Sequence, residues 1–465
     1  MPVIVLVADG ARPDALRDRL DTLPALARMH DEGSYHEVTS VFPSVTGPAY
    51  TPFLMGRFPG AVGLPGLRWY DRARAACGWP DHARSYVGWQ MGRVDGDLDA
   101  GSPTIFELVP NSLAAMSVVT RGLRRAGQIG GLTPRLAARA AMTHFSGRAE
   151  RWLGIDRDVG DAVVCRVRDE RPDYVFAALT GVDKASHARG HADPMVNDAF
   201  AIVDDVAARL REDAERAGSW QDTHLWIVSD HGHTPVSAHD DLAGAVAAFG
   251  PRTISHPFTL ALSPDVAVMV SGNAMGHVYL DLAARVRAWW PALSERWSPL
   301  IAMLLARPSV DLVLLPHGPD RCEVRHSLRG AAWVERTGTT LRYRRGTGDP
   351  LCYRSDLSGT PDTLHGATRD TDYPDAIVQI LALGGSARAG DVILSAAPGH
   401  DFRARFEPIP HRSAHGALHR DHILVPLLTN HPTVRRPRRT TDVFASTLAV
   451  LGVTPPAVMD GSSFM

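Results

Sequence analysis

Three short apolar runs in this chain each lead into an aspartate. VIVLVAD ends at Asp9, YVFAALTGVD at Asp183 and LWIVSD at Asp230. Short continuous runs rich in Val, Ile and Leu are buried strands, as in a parallel sheet covered on both faces. A carboxylate at the carboxyl end of such a strand faces the crevice where open α/β sheets take their ligands. The feature points to an α/β fold with its chemistry along one sheet edge.

The spacing between these runs supplies the rest of the architecture. Helical periodicity runs from Asp14 to His30, and Pro43 and Pro48 bracket a turn around Ser44 and Thr46. A helix is expected from Ala49 toward Met55, another near Ala149–Asp169 and a long one from Pro194 to Ala217, with strands at Tyr174–Leu179 and Leu225–Val228. Strands alternating with helices predict a doubly wound, mostly parallel sheet flanked by helices. Between about 250 and 400 the character changes to short strands (Val266–Val270, His277–Leu280, Val310–Leu315, Ala331–Glu335, Leu341–Arg344) with Gly and Pro turns. The α/β pattern returns with the strand Ile423–Leu428 and the helix Thr441–Leu451. The expected division is a discontinuous core, 1–250 and 400–465, with a smaller α+β cap-like unit inserted at 251–399.

Bulk properties exclude several classes. The net charge of −2 gives no global attraction to nucleic acid or an anionic membrane. No run of about 18 apolar residues exists, so a transmembrane helix is not expected. The chain enters a strand almost at once, without a basic segment and cleavage site, which suggests a cytoplasmic protein. Cys77, Cys165, Cys322 and Cys352 are widely spaced and form no CxxC, so free buried thiols are expected. The basic run from Arg435 to Arg439 reads as a solvated loop. Of 49 Lys and Arg residues one is a lysine, Lys184, lying between Asp183 and His187. Against that bias toward arginine, a compact ammonium suggests a role near the substrate or the metal ligands.

Oxygen and imidazole groups gather at the strand ends. Asp9 either binds a metal or caps the helix that follows. Asp183 and His187 are one helical turn apart and share a face, a spacing that suits one metal ion. Asp230 and His231 are adjacent and converge on one ion only if the backbone turns sharply, which Gly232 permits. His233 suits a place near the phosphate or behind the ligands. In Pro410–His422, His411 and His415 are equal candidates by spacing, and His419 and His422 face solvent or support the others. Thr46 is the nucleophile candidate, because a divalent cation can make a hydroxyl reactive at neutral pH. Ser44 and Thr51 are its rivals, and helix capping is the alternative role for each. Trp69, Tyr70, Tyr86 and Trp89 can stack on a leaving group or pack in the core, and Tyr70 is retained as a substrate-binding candidate with Lys184 and His233.

The segments VLVADGARPDAL, FPSVTGPAYTPFLMGRFPG, GVDKASHARG, VSDHGHTP, SAHG and TTDVFASTLAVLGVTPPAVMDGSS occur in this order from residue 3 to 463. Together they resemble the alkaline phosphatase superfamily, and within it the type I phosphodiesterase/nucleotide pyrophosphatase family. The resemblance implies two divalent metal ions, zinc or alternatively manganese. Asp183, His187 and His415 would hold one; Asp9, Asp230 and His231 would hold the other, with Thr46 bridging toward it. It implies a phospho-threonine intermediate and a small-molecule phosphate ester as substrate, either a phosphodiester or pyrophosphate, or else a phosphonate or phosphomonoester. An inactive metal-binding homologue is the non-enzymatic alternative. Where the family usually has an Asn three residues after the nucleophile this chain has Ala49, and a usual His is Val62; both bear on the substrate and leave the metal ligands intact. The sulfatase-type motif is missing, and the phosphoglycerate mutase branch typically uses serine.

Overall fold

The structure, a computed structural model, describes residues 1–74, 82–130, 142–143, 148–403, 407 and 410–465. Cys77 and the side chain of Trp89 lie outside the described residues.

A seven-stranded sheet carries the three aspartates. Its order is Ser34–Thr39, Leu424–Thr429, His224–Val228, Val3–Ala8, Tyr174–Leu179, Ser112–Ala115, Gln128–Ile129. The last five are mutually parallel. Leu424–Thr429 runs antiparallel to both of its neighbours. Val3–Ala8 is central and in register with Tyr174–Leu179 on one side and His224–Val228 on the other, so Asp9, Asp183 and Asp230 emerge at the same edge. Alternate residues of these strands face opposite cores. Val5, Val7, Phe176 and Trp226 pack with the helices Thr51–Met55 and Thr441–Leu451, whereas Leu6, Val175 and Ile227 pack with Pro24–Glu32, Glu150–Glu170 and Pro194–Arg216. Helices on both faces make the strands apolar throughout, and the doubly wound, mostly parallel α/β reading holds.

Some local expectations change. The single helix expected from Asp14 to His30 is divided into Pro13–Arg17, a 3₁₀ turn Leu20–Thr22 and Pro24–Glu32. Pro24 lacks an amide proton and drives Leu23 out of the helical region, to φ −122° and ψ 77°. Cys322 is buried, but Cys165 and Cys352 are exposed. Cys165 sits on the solvent side of the helix Glu150–Glu170, and Cys352 adopts a left-handed turn conformation at φ 55°.

Residues 253–396 build a second, nine-stranded sheet in the order Thr253–Ser255, Val266–Ser271, Met275–Leu280, Val392–Ala396, Val310–Gly318, Arg321–His326, Gly330–Thr337, Thr340–Arg345, Leu357–Gly359. One of its cores merges with the Thr46 turn: Phe42, Ala49 and Phe58 pack with Met275, Leu312 and Leu314. Polar contacts reinforce this. The Gln379 amide accepts from Phe42 N and donates to Ser40 O and Asp375 Oδ2. Asp375 in turn holds Arg439 through two bonds of 2.7 Å, both side chains being buried. No helix among the described residues is long and apolar enough to cross a membrane.

Breaking a buried ion pair from one side leaves an uncompensated charge. Arg439→Ala is therefore expected to cost about 3–5 kcal/mol, read as a lowered midpoint of urea unfolding. An unchanged midpoint would show that this bridge does not hold the Thr46 turn against the second sheet.

Candidate metal centre

Each ligand candidate is placed by a local device. Asp9 follows the central strand, and its N–H donates to Leu179 O across the sheet edge. Gly10 follows at φ +78°, where a Cβ would lie 2.8 Å from His233 Nε2 and 3.0 Å from Asp183 Cα; only glycine lets the strand ends close up. Asp183 and His187 lie on the helix Gly181–Arg189, whose first amides are capped by Asp156, accepting from Thr180 N at 3.0 Å and Gly181 N at 2.5 Å. The chain bends at Asp230, and at Gly232 it passes so close to Asp421 O that a Cβ would lie 2.1 Å from it. His415 arrives on Ser413–Ala414, which pairs antiparallel with Thr234–His239.

These devices bring the groups together. Asp183 Oδ1 lies 3.1 Å from His187 Nε2, 2.9 Å from His233 Nε2 and 3.6 Å from His415 Nε2. His231 Nε2 lies 3.4 Å from Asp9 Oδ1 and 3.5 Å from Asp230 Oδ2. The His231 and His415 rings stack at 3.6 Å and join the two groups. Three sets have their ligand atoms within 4.8 Å of one another: Asp183, His187 and His415; Asp9, Asp230 and His231; and Asp183, His231 and His233. Thr46 Oγ1 lies 3.1 Å from Asp9 Oδ1 and 3.0 Å from His231 Nε2. It is the one partly exposed residue in the otherwise buried stretch 41–50. Its rivals spend their hydroxyls on backbone: Ser44 donates to Ala417 O, and Thr51 to Pro48 O and Arg57 O.

The donor set fits divalent cations. Asp9, Asp183 and Asp230 are all fully buried. Asp230 Oδ2 has no hydrogen-bond partner among the described residues, an orphaned charge that a metal ion would satisfy. The imidazoles are oriented for ligation. His187 Nδ1 faces Ser413 O at 2.8 Å, His415 Nδ1 faces Ser44 O at 2.9 Å and His231 Nδ1 faces Gly232 O at 3.1 Å. A carbonyl only accepts, so each Nδ1 carries the proton and Nε2 is the ligand atom. Burial, then Asp230 and Asp183, push Asp9 well above the usual carboxylate range. Burial, together with Asp183, also raises Asp230. Burial pushes Asp183 upward as well, but Lys184, His187 and His233 outweigh it and hold it well below. Burial drives His415 well below its ordinary value and His233 down to about 3, which keeps both neutral.

The remaining candidates sit around this core. His411 packs against His187 with ring centroids 4.2 Å apart and tilted by 41°, and meets the Asn273 amide through Nδ1 at 2.9 Å. His422 accepts from Ala417 N and meets Thr234 Oγ1, bracing the loop that carries His415. His419 caps the short helix Arg420–Ile423. Trp69, Tyr70 and Tyr86 belong to the buried core; Tyr70 packs on His82 and Tyr279, and no contact among the described residues joins it to the Asp/His cluster. Sequence reasoning missed Tyr50, whose hydroxyl donates to Asp9 Oδ2 at 2.8 Å. Its position four residues after Thr46 was an available signal. Arg12, donating to His233 O at 2.7 Å, and Asn273 were also missed, and neither carries a local motif.

The family described as type I phosphodiesterase / nucleotide pyrophosphatase matches residues 3–289. No curated protein matches the chain. Among solved structures, human ectonucleotide pyrophosphatase / phosphodiesterase 5 is similar at 15% identity and a TM-score of 0.57, covering 99% of this chain and 97% of its own. The murine protein gives 14%, 0.56, 99% and 98%, and has also been solved as an inactive threonine-to-alanine form in complex with AMP. Phosphonoacetate hydrolase from Sinorhizobium meliloti 1021, in complex with phosphonoformate, gives 18%, 0.54, 97% and 96%.

The orphaned charge on Asp230 generates a prediction for the metal-free protein. Because its folded value is raised, ionised Asp230 opposes folding at neutral pH, and the penalty fades as pH falls through that value toward about 4. Metal-free Asp230→Asn is expected to melt higher than metal-free wild type at pH 7, by about 1 kcal/mol or more. The gap should shrink as pH is lowered, while turnover of the metal-loaded variant is lost. Calorimetric melts in chelator from pH 7 to 4 check this; a variant less stable at every pH would contradict it.

Proposed function

The chain belongs to the type I phosphodiesterase / nucleotide pyrophosphatase family, and on that premise we propose that it is a two-metal phosphoester hydrolase with Thr46 as nucleophile. The observation that carries the reading is the position of the Thr46 hydroxyl. It is partly exposed, within 3.1 Å of both Asp9 and His231, in an otherwise buried turn. The inactive threonine-to-alanine form of the murine neighbour supports the same role.

Asp183, His187 and His415 would hold one ion, and Asp9, Asp230 and His231 the other. When bound, zinc (or alternatively manganese) would lower the pKa of the attacking hydroxyl and neutralise charge building on the phosphoryl oxygens. The protein's own part is placement. Thr46 Oγ1 points its proton at Asp9 Oδ1, and Tyr50 holds the other oxygen of that carboxylate. Attack by Thr46 Oγ1 forms a bond to phosphorus as the bond to the leaving oxygen breaks, giving phospho-threonine. Water then displaces the Thr46 oxygen and releases the phosphoryl product. His233 lies against Asp183 and serves to orient it, and residues 251–399 form a cap beside the turn.

A second reading, hydrolysis of a phosphonate, draws on the similarity to phosphonoacetate hydrolase and on Ala49, which offers no amide to a diester oxygen. Rates on bis-p-nitrophenyl phosphate, p-nitrophenyl phosphate and phosphonoacetate separate the two. Turnover of phosphonoacetate alone would replace the esterase reading.

Thr46→Ala is expected to lower kcat by more than about a thousandfold while leaving the metal content at two ions per chain. Chelation should abolish wild-type turnover, and added zinc or manganese should restore it. A variant with wild-type rate would remove Thr46 from the mechanism.

A further inference from the structure

Lys184 is the single lysine among 49 basic side chains, and it stands at the rim of the metal centre. Its ammonium lies 2.7 Å from Asp183 Oδ2, on the side of that carboxylate away from the three imidazoles around Oδ1. The Trp152 ring lies beneath it at 5.7 Å. The Lys184 side chain is 30% exposed, whereas the carboxylate it holds is fully buried.

An ammonium has three N–H donors. Among the described residues only one finds an acceptor, on Asp183. Charge balance gives the other two a purpose. Three aspartates against two divalent ions leave one positive charge, which a singly charged diester neutralises. Lys184 adds a second. In a chain that otherwise uses arginine, this position carries a compact point charge with three rotatable donors rather than a planar fork.

We propose that Lys184 is a specificity-determining residue, whose two unspent N–H groups bind a second anionic oxygen of the substrate. Doubly charged substrates are then favoured over singly charged diesters. This inference rests on the two-metal, Thr46 reading and narrows its substrate class.

The test uses the metal-loaded full chain as wild type, Lys184→Met and Lys184→Arg. Steady-state rates are compared on p-nitrophenyl phosphate, a dianion at pH 8, and bis-p-nitrophenyl phosphate, a monoanion. Lys184→Met is expected to raise KM for the dianion about tenfold more than KM for the diester, a difference equivalent to about 1.4 kcal/mol. Lys184→Arg should not restore it. A second readout is independent of turnover: trinitrophenylation of the sole ε-amine of wild-type protein should slow when inorganic phosphate is added, with Lys184→Met reporting the α-amine background. Labelling indifferent to phosphate, or KM values for both esters that stay fixed or move together with kcat, would overturn the proposal and leave Lys184 acting only through Asp183. Failure of the underlying reading is seen separately, in wild type that hydrolyses neither ester or in Thr46→Ala that keeps the wild-type rate.

Discussion

The molecule is organised around a repulsion. Asp9, Asp183 and Asp230 are fully buried at one sheet edge, and the only fixed cation hydrogen-bonded to any of them among the described residues is Lys184. Three carboxylates removed from water and set side by side are costly, and replacing them with apolar side chains would stabilise most folds. Positive charge brought to this edge would offset that cost. The raised proton affinities of Asp9 and Asp230 and the orphaned oxygen of Asp230 express the same imbalance.

The rest of the architecture makes that arrangement rigid. Register between the central strand and its neighbours aligns the three aspartates. Two glycines let the strand ends approach to distances a Cβ would prevent. Backbone carbonyls fix the imidazole tautomers. The second sheet acts on the opposite partner, the Thr46 turn, through Phe42, Ala49 and Phe58 and through the Gln379 amide. The three aspartates and His231 therefore follow strands of the parallel sheet, His415 follows Ser413–Ala414, and the Thr46 turn is clamped from the second sheet.

What was legible in the sequence follows from range. The buried strands, the aspartates that close them and the helix-borne pair Asp183 and His187 are local patterns, and the structure places them as expected. The Asp14–His30 helix was misjudged because periodicity continues across Pro24 although the backbone cannot. Spacing could not separate His411 from His415, because the difference is tertiary. His415 is stacked on His231 and bonded to Ser44, whereas His411 packs on the outer side of His187 against Asn273. The strand order of the second sheet, in which Val392–Ala396 inserts between Met275–Leu280 and Val310–Gly318, has no local signature. Tyr70, retained as a substrate-binding candidate, belongs to the core, where it packs against Tyr279 of the strand Met275–Leu280.

The two candidate ion sites are not independent. His415, a candidate ligand of one, stacks face to face on His231, a candidate ligand of the other, and its Nδ1 is held by Ser44 O, two residues before Thr46. His231 in turn lies 3.0 Å from Thr46 Oγ1. A shift in either imidazole is therefore felt at the other site and at the hydroxyl between them. Groups in such direct contact show interaction energies comparable to their individual effects. Losses from ligand substitutions in this centre should consequently fall short of additivity, because the first removal already disorders what the second would remove. The groups that couple in this way come from four separate stretches of the chain, after Val3–Ala8, Tyr174–Leu179, His224–Val228 and Ser413–Ala414, and their candidate ligand atoms lie within 4.8 Å of one another in each set.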